Sequence, residues 1–395
     1  MAAVAETEWR ILVRDENRTI IGEIDDEQSL DVRVRHLDAG AWTVTVDAGS
    51  ASADLLQAGE GILFVVDGAI KLSGPKRPDS TEVTEEDGGR GQLTVSGVSD
   101  AATIARVIWP AYDEPITTSG TTQSSAYAVH SGAAETVIRT LVDRQAGPSA
   151  LADRRQDGLV LTTDQGRGST VTTKLRMDAL LETVHGLAES GGIGWDIIQS
   201  GSDLELVFYE PADLAAIARF AVDLGNVTSY SYELTPPEVT DVIVGIGGED
   251  VNRVFYRFQQ RDALWPHLIV EEFADQRQVD PSASPGDDDY VDPDEAAGQA
   301  ATERLEEGRG TASVSFSPID TEQLVAGRDY DRGDVVTFET EVGPVEDTIR
   351  EMRYTRDTDN GQLITPSIGE EQERPAIYRR VSGLRRDVNQ LQTRR

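Results

Sequence analysis

The chain has no cysteine among its 395 residues, which removes disulfides, thiolate zinc sites and cysteine nucleophiles together. Histidine is nearly as scarce. His36, His130, His185 and His267 stand too far apart in sequence to form a ligand pair, so metal chemistry through imidazole is not expected and no cofactor is implied. No run of eighteen apolar residues occurs, and the start, MAAVAETEWRILVRDENRT, has neither a basic segment nor an apolar core behind it. The expectation is therefore a chain with no membrane span and no signal peptide, made in the cytoplasm. Lysine appears only at Lys71, Lys76 and Lys174, and arginine supplies the rest of the 36 basic residues.

Against these absences stands an excess of carboxylates: 71 Asp and Glu give a formal net charge of −35. Phosphate recognition needs a basic surface, so specific nucleic-acid binding by the body of the chain is excluded. The lysine-poor acidic composition has two readings. A GC-rich genome favours arginine codons, and adaptation to high salt favours a hydrated carboxylate surface whose self-repulsion is screened. With 38% hydrophobic residues the chain can build two to four domains with real cores.

Residues 7–75 alternate like strands, in EWRILVRD, RTIIGEID, SLDVRVRHLD, AWTVTVDAG and GILFVVDGAIKLSG. A polar insert, PKRPDSTEVTEEDGGRG, leads to QLTVSGVS, and DAATIARVIW reads as a helix ending at Pro110. Beyond residue 110 the pattern is mixed. AAETVIRTLVDRQ places Val137, Ile138, Leu141 and Val142 on one helical face, and LRMDALLETVHGLAES does the same with Leu175, Leu180, Leu181, Val184 and Leu187 before a Gly-Gly stop. GWDIIQ and DLELVFYE form a hairpin around Ser-Gly-Ser, and a helix from Asp294 is capped by Asp292 or Asp294. A weak internal repeat lays residues 57–74 on 330–349 through Gly59 and Gly333, with turns closed at Gly68 and Gly343.

Several motifs invite chemistry and do not carry it. VIVGIGGED follows a strand, but a dinucleotide loop needs a helix next, and VNRVFYRF continues as a strand. Arg332-Gly333-Asp334 reads as a tight turn before a strand at Val335. Asp287, Asp288 and Asp289 with Asp292 lack the glycine and closing glutamate of a calcium loop. No nucleophile elbow is present, and no carboxylate pair stands out for glycoside hydrolysis. The tryptophans Trp9, Trp42, Trp109, Trp195 and Trp265 are too dispersed for a sugar-binding row and read as core or interface anchors.

The order AGAWTVTVDA, LLQAGEGILFVVDGAIKLSG, LTVSGVSDAATIARVIWP, LGNVTSYSYELTPPEVTDVIVGIGG, WPHLIVEEFADQRQ, GRDYDRGDVVTFET and ITPSIGEE resembles the tail-tip, or baseplate, hub proteins of long-tailed viruses of bacteria and archaea, over roughly residues 8–370. The resemblance implies a mainly β fold with α+β parts. Two similar small β-barrels would form a tube ring, with an inserted α/β domain and a C-terminal helix. Expected boundaries are 1–108 for the first barrel, 109–206 for the α/β domain, 207–236 with 312–370 for the second barrel, 237–311 for an inserted domain and 371–395 for the helical tail. It further implies a structural, non-enzymatic virion protein: a homotrimer joining a sixfold tail tube to a threefold tip. Its partners would be a distal tail or tube protein, the tape measure and tip or fibre proteins. A receptor- or carbohydrate-binding tip protein and a cell-envelope hydrolase are the competing classes. The tail offers one candidate contact, a heptad seam of Ile377, Val381, Leu384, Val388 and Leu391 among arginines.

Overall fold

The structure, a computed structural model, describes residues 7–84, 91–248, 250–262, 265–282, 290–321, 324–341, 343–358 and 361–369. The chain begins with β1 (Trp9–Arg14), β2 (Ile20–Ile24), β3 (Ser29–Arg35) and β4 (Ala41–Asp47). The sequence reading did not foresee the helix that follows, α1 (Ala51–Ala58), whose Ser50 side chain accepts from the Ala53 N–H. Then come β5 (Gly61–Val66), β6 (Ala69–Thr84) and β7 (Gln92–Val98). Part of the expected polar insert is therefore strand, because Thr81–Thr84 pair with Gln92–Val95 of β7.

The helix expected over 100–109 is only a short 3-10 turn at Asp100–Ile104. Tertiary hydrogen bonds win over local periodicity here: the Ile108 N–H donates to Asp178 O, and the Leu180 N–H donates to Arg106 O. β8 (Ala128–Ala133), α2 (Ala134–Gln145), β9 (Leu159–Leu161) and β10 (Thr170–Leu175) follow. Next is α3 (Leu180–Gly191), which starts later than its apolar pattern because Leu175 belongs to β10; it stops at Gly192 in the left-handed conformation. β11 (Gly194–Ser200) and β12 (Asp203–Tyr209) form the expected hairpin. The two helices bury Val137, Ile138, Leu141 and Val142 against Leu180, Val184 and Leu187 in a core of their own.

The rest of the chain is β13 (Arg219–Phe220), β14 (Val227–Thr235), β15 (Asp241–Ile246), β16 (Phe255–Gln259), β17 (Glu271–Gln276), α4 (Pro293–Glu307), β18 (Thr311–Pro318), β19 (Val335–Thr340), β20 (Gly343–Asp357) and β21 (Gly361–Ile368). The fold is mainly β. Among the described residues between Ile246 and β16 there is only a short 3-10 turn at Asp250–Asn252 and no α-helix to meet a pyrophosphate, so the described part of VIVGIGGED is a strand and a turn. Asp292 caps α4 by accepting from the N–H groups of Asp294 and Glu295. A small core forms where α4 covers one face of β16-β15-β17.

The largest sheet has 13 strands, with a main path β14-β18-β21-β20-β3-β4-β7-β6-β5-β1-β2. Among the described residues this path is open, so its ladders do not close into separate barrels. One apolar core lies beneath it, drawn from both ends of the chain. Trp9, Phe64 and Tyr354 meet edge to face at 5.2–5.6 Å, and Phe220, Phe316, Phe338 and Tyr330 form a second aromatic group in the same core.

Two polar knots fasten the helical unit to this sheet. Arg14 of β1 makes a bidentate pair with Asp100 at 2.7 and 2.8 Å and also donates to Gln199 of β11. Ser73 of β6 donates to Asp100 and accepts from the Gln199 N–H. In the second knot Arg332 pairs with Asp196 at 2.6 Å, and the His36 ring nitrogen meets the Tyr209 hydroxyl at 2.9 Å. Gly333 sits against that imidazole with φ of +91°, and a Cβ there would approach His36 Nδ1 to 2.9 Å, so glycine is required.

Both knots give measurable expectations. Arg14 and Asp100 are 5% and 1% exposed, so Asp100→Ala strands a buried cation and should cost about 3–5 kcal/mol. A loss below ~1 kcal/mol in urea unfolding would place the pair with exposed ones instead. His36 is pushed down to about 3 by burial, then by the charges of Arg350 and Arg332. A base with its folded pKa below its unfolded value of about 6.5 takes up its proton more readily when unfolded. Its stabilising contribution is complete above that pH and is lost as pH falls from about 6.5 towards 3. Glu189, held at about 2 by its hydrogen bond to His185, adds a second loss at lower pH, so the measurement is a difference. His36→Gln should flatten the stability profile between about pH 6.5 and 4, whereas parallel profiles would show that the buried imidazole does not titrate against folding.

Candidate functional site

The 13-stranded sheet is built from one arrangement used twice. Its first half has the strand order β5-β6-β7-β4-β3, and its second half has β19-β20-β21-β18-β14. In each half a long strand switches partners midway. β6 pairs first with β5 and then with β7; β20 pairs first with β19 and then with β21. The sequence repeat through Gly59 and Gly333 has its structural counterpart here, with β5 and β19 each beginning two residues after that glycine and turning at Gly68 and Gly343, both at positive φ. Ile62 and Phe64 then fall on Val336 and Phe338, all fully buried.

The halves meet where β20 uses its remaining edge. Glu351–Asp357 pair antiparallel with Ser29–Arg35 of β3, and Lys71 crosses between the halves to Asp331 at 2.6 Å. The corresponding positions on the other side are open: among the described residues the second part of β6 has no strand on the edge away from β7, and β14 has none on the edge away from β18. Val83, 55% exposed, and Tyr232, 38% exposed, lie on those two edges.

Strand alternation gives this sheet a second face, opposite the core. It is a surface of hydroxyls and compensated charge. Thr43 meets Ser96 at 2.9 Å and Thr45 meets Thr94 at 3.0 Å. Asp31 accepts from Arg353 at 2.6 Å and from Arg33 at 3.4 Å, while Arg35 donates to Glu351 at 2.8 Å. Along the whole face the carboxylates of Asp31, Asp47, Glu82, Glu233, Glu351 and Asp357 outnumber the guanidinium groups of Arg33, Arg35 and Arg353.

The other sequence candidates resolve simply. Arg332-Gly333-Asp334 is the turn before β19, as expected. The seam of Ile377, Val381, Leu384, Val388 and Leu391, like Asp287, Asp288 and Asp289, lies outside the described residues. No cluster of His, Asp or Glu able to hold a metal ion occurs among the described residues. The fold does bring His36 near His185, whose Nδ1–H donates to the Leu37 carbonyl at 2.9 Å; sequence separation hid that proximity. Trp9, Trp42 and Trp195 are buried core residues, whereas Trp109 borders a surface cavity. The open sheet edges had no signal in the sequence, because an edge is defined by partners far along the chain.

The family model for the Siphovirus ReqiPepy6 Gp37-like protein matches residues 8–370. No curated protein matches the chain. Among solved structures, the tail protein from Neisseria meningitidis MC58 superposes with a TM-score of 0.56 at 13% identity, over 92% of this chain and 97% of that one. The 43 kDa tail protein of prophage MuSo2 from Shewanella oneidensis gives 0.56 at 12% identity, over 92% and 98%. Prophage tail protein gp18 from Listeria monocytogenes EGD-e gives 0.53 at 12%, over 96% and 99%. At these identities the likeness is one of fold.

Proposed function

The chain belongs to the Siphovirus ReqiPepy6 Gp37-like protein family, and from that premise we propose that this tail and baseplate structural protein is a trimeric tail-tip hub. The observation that carries the reading is the doubled strand set with one junction filled and its counterpart open. Inside one chain β20 abuts β3. If β6 of one copy abuts β14 of the next in the same way, three copies close a ring of six equivalent sheets. Such a ring matches a sixfold tube on one side and a threefold tip on the other. The hydroxyl-lined face then borders the channel, where weakly negative character lets tape measure and DNA pass without adhering. Distal tail or tube and tip proteins would bind the two rims, and the role requires no catalysis.

The internal junction supplies a register for the open one. Aligning the turn between β20 and β21 with that between β6 and β7 puts Val83 in the place of Arg356. Carrying that alignment across the sheet sets β7 on β21, β4 on β18 and β3 on β14, and puts Val227 in the place of Leu30, the partner of Arg356. Val83 of one copy should therefore lie opposite Val227 of its neighbour. Because the native chain has no cysteine, the double variant Val83→Cys with Val227→Cys reports this contact without background. Mild oxidation should give a covalent trimer on a non-reducing gel. A chain ending at Pro375 should give the same band if the heptad seam follows the ring's symmetry and does not create it. Monomers alone, or a ladder extending past trimer, would reject the closed ring.

The two edges that this junction would join carry Glu82 on β6 and Glu233 on β14, like charges that repel as one copy approaches the next. Together with the net charge of −35, this repulsion supports assembly adapted to high salt, where the screening length falls to about 3 Å at 1 M. Light scattering should find trimers near ~2 M salt and dissociation near ~0.1 M. Glu82→Gln should move the transition to lower salt; an oligomer mass independent of salt in both proteins would remove the electrostatic argument.

A further inference from the structure

The helical unit carries a cavity of about 220 Å³ that plays no part in the proposed ring. It opens between the segment after Trp109, the start of β8 and the last turn of α2. Its walls are organised. The Gln145 side chain accepts from the Trp109 N–H and donates to the Trp109 carbonyl, both at 3.0 Å, while Gln123 accepts from the Ala111 N–H and donates to the Glu114 carbonyl.

In this lysine-poor, acidic chain one cation, Arg144, lines the cavity, and a second, Lys174, stands beside it against the lining residue Tyr127. The Arg144 guanidinium lies 4.6 Å from the ring centre of Tyr112, and the Lys174 ammonium lies 4.7 Å from that of Tyr127. Among the described residues neither has an ion pair or a hydrogen bond to a carboxylate. Asp113 is the one carboxylate on the lining, and it is exposed. His130 is held below its ordinary value by burial and then by Arg144, so near neutrality its imidazole is an uncharged donor and acceptor. Ser124 and Ser125 add hydroxyls to the rim.

We propose that this cavity binds one acidic sugar residue of a polysaccharide, a pyranose bearing a carboxylate. Trp109, Tyr112 and Tyr127 offer flat apolar walls for the C–H face of the ring. Arg144 receives the carboxylate through charge-assisted hydrogen bonds, Lys174 beside Tyr127 adds its positive field, and His130 with the two serines can exchange hydrogen bonds with ring hydroxyls. The volume falls below the roughly 300–1,000 Å³ of sites for drug-sized ligands, which suits a single ring. A neutral sugar would leave both cations without a counter-charge, and an acidic peptide side chain would leave the aromatic walls unused. The site is independent of the trimer reading, since every group named belongs to one chain.

The test is titration of the full chain with sodium glucuronate, followed by tryptophan fluorescence and calorimetry, with glucose and glutamate as controls. Glucuronate should bind with a Kd of ~1 mM and each control at least about tenfold more weakly. Arg144→Gln and Lys174→Gln should each weaken glucuronate about tenfold with the melting temperature unchanged, and Tyr127→Ala, which keeps both cations, should weaken it as well. No binding at ~50 mM glucuronate overturns the proposal. So does equal binding of glutamate, which would mark a simple anion site, or glucuronate binding that survives all three variants.

Discussion

Everything in this fold leans on one strand with two occupied edges. β20 gives its first residues to β19, then turns one edge to β21 and the other to β3. Hydrogen bonds along β3 thereby join segments more than 300 residues apart, as in the pairing of Glu351 with Arg35. Such a contact carries a large closure entropy, although the cost grows only logarithmically with loop length. It is offset by what the pairing makes possible. With β20 in place, Met352 and Tyr354 descend into the same core as Val32, Val34 and Trp9. Without it the apolar faces of the two halves would each be open along one side.

That junction also explains where the chain places its polar interior. A protein this acidic has few cations, and it commits two of them to buried knots rather than to the surface: Arg14 with Asp100 and Arg332 with Asp196. Burying a charge is costly unless the partner geometry is good and the remaining donors are used. Arg14 meets this condition through a bidentate pair plus Gln199. The gain is directional. Apolar contacts tolerate sliding, whereas a fork of hydrogen bonds between β1, β6, β11 and the 3-10 turn permits one placement of the helical unit on the sheet.

Much of the local structure was legible and most of the long-range structure was not. The alternation in SLDVRVR and AWTVTVD announces β3 and β4, and their cores are the residues that alternation names. The repeat through Gly59 and Gly333 was visible because a glycine, an acidic residue and an apolar strand recur at fixed distance. What it could not reveal is that β6 and β20 exchange partners midway, since polar residues such as Thr81 and Glu82 look like loop until β7 is beside them. The periodicity of DAATIARVIW suggested a helix, yet Asp100 is held by Arg14 and Ser73 and the following backbone bonds to the segment before α3. α1 was missed because only Ala53 and Leu56 supply its buried apolar contacts, too few to set a period. The cavity around Trp109 left no trace either, for Lys174 comes from β10 and Arg144 from α2.

The positions of the added units follow from the same constraint. One leaves the sheet after β14 and returns at β18, at the place where the first half has the short link between β3 and β4. The other lies between β7 and β13, after the first half is complete. Each brings its own apolar core, so neither draws on the core under the sheet. Insertion at a strand connection lengthens a loop at small entropic cost, whereas insertion within β6, β14 or β20 would break a ladder. Among the described residues the edges of β6 and β14 therefore stay free of decoration. An exposed edge is a hazard unless it is blunted or destined for a partner, and these two carry Glu82 and Glu233 beside Val83 and Tyr232. Charge discourages indiscriminate pairing while the apolar residues favour the pairing that covers them. In the proposed ring, that balance makes closure depend on a partner edge of matching register, which a second copy of the chain supplies.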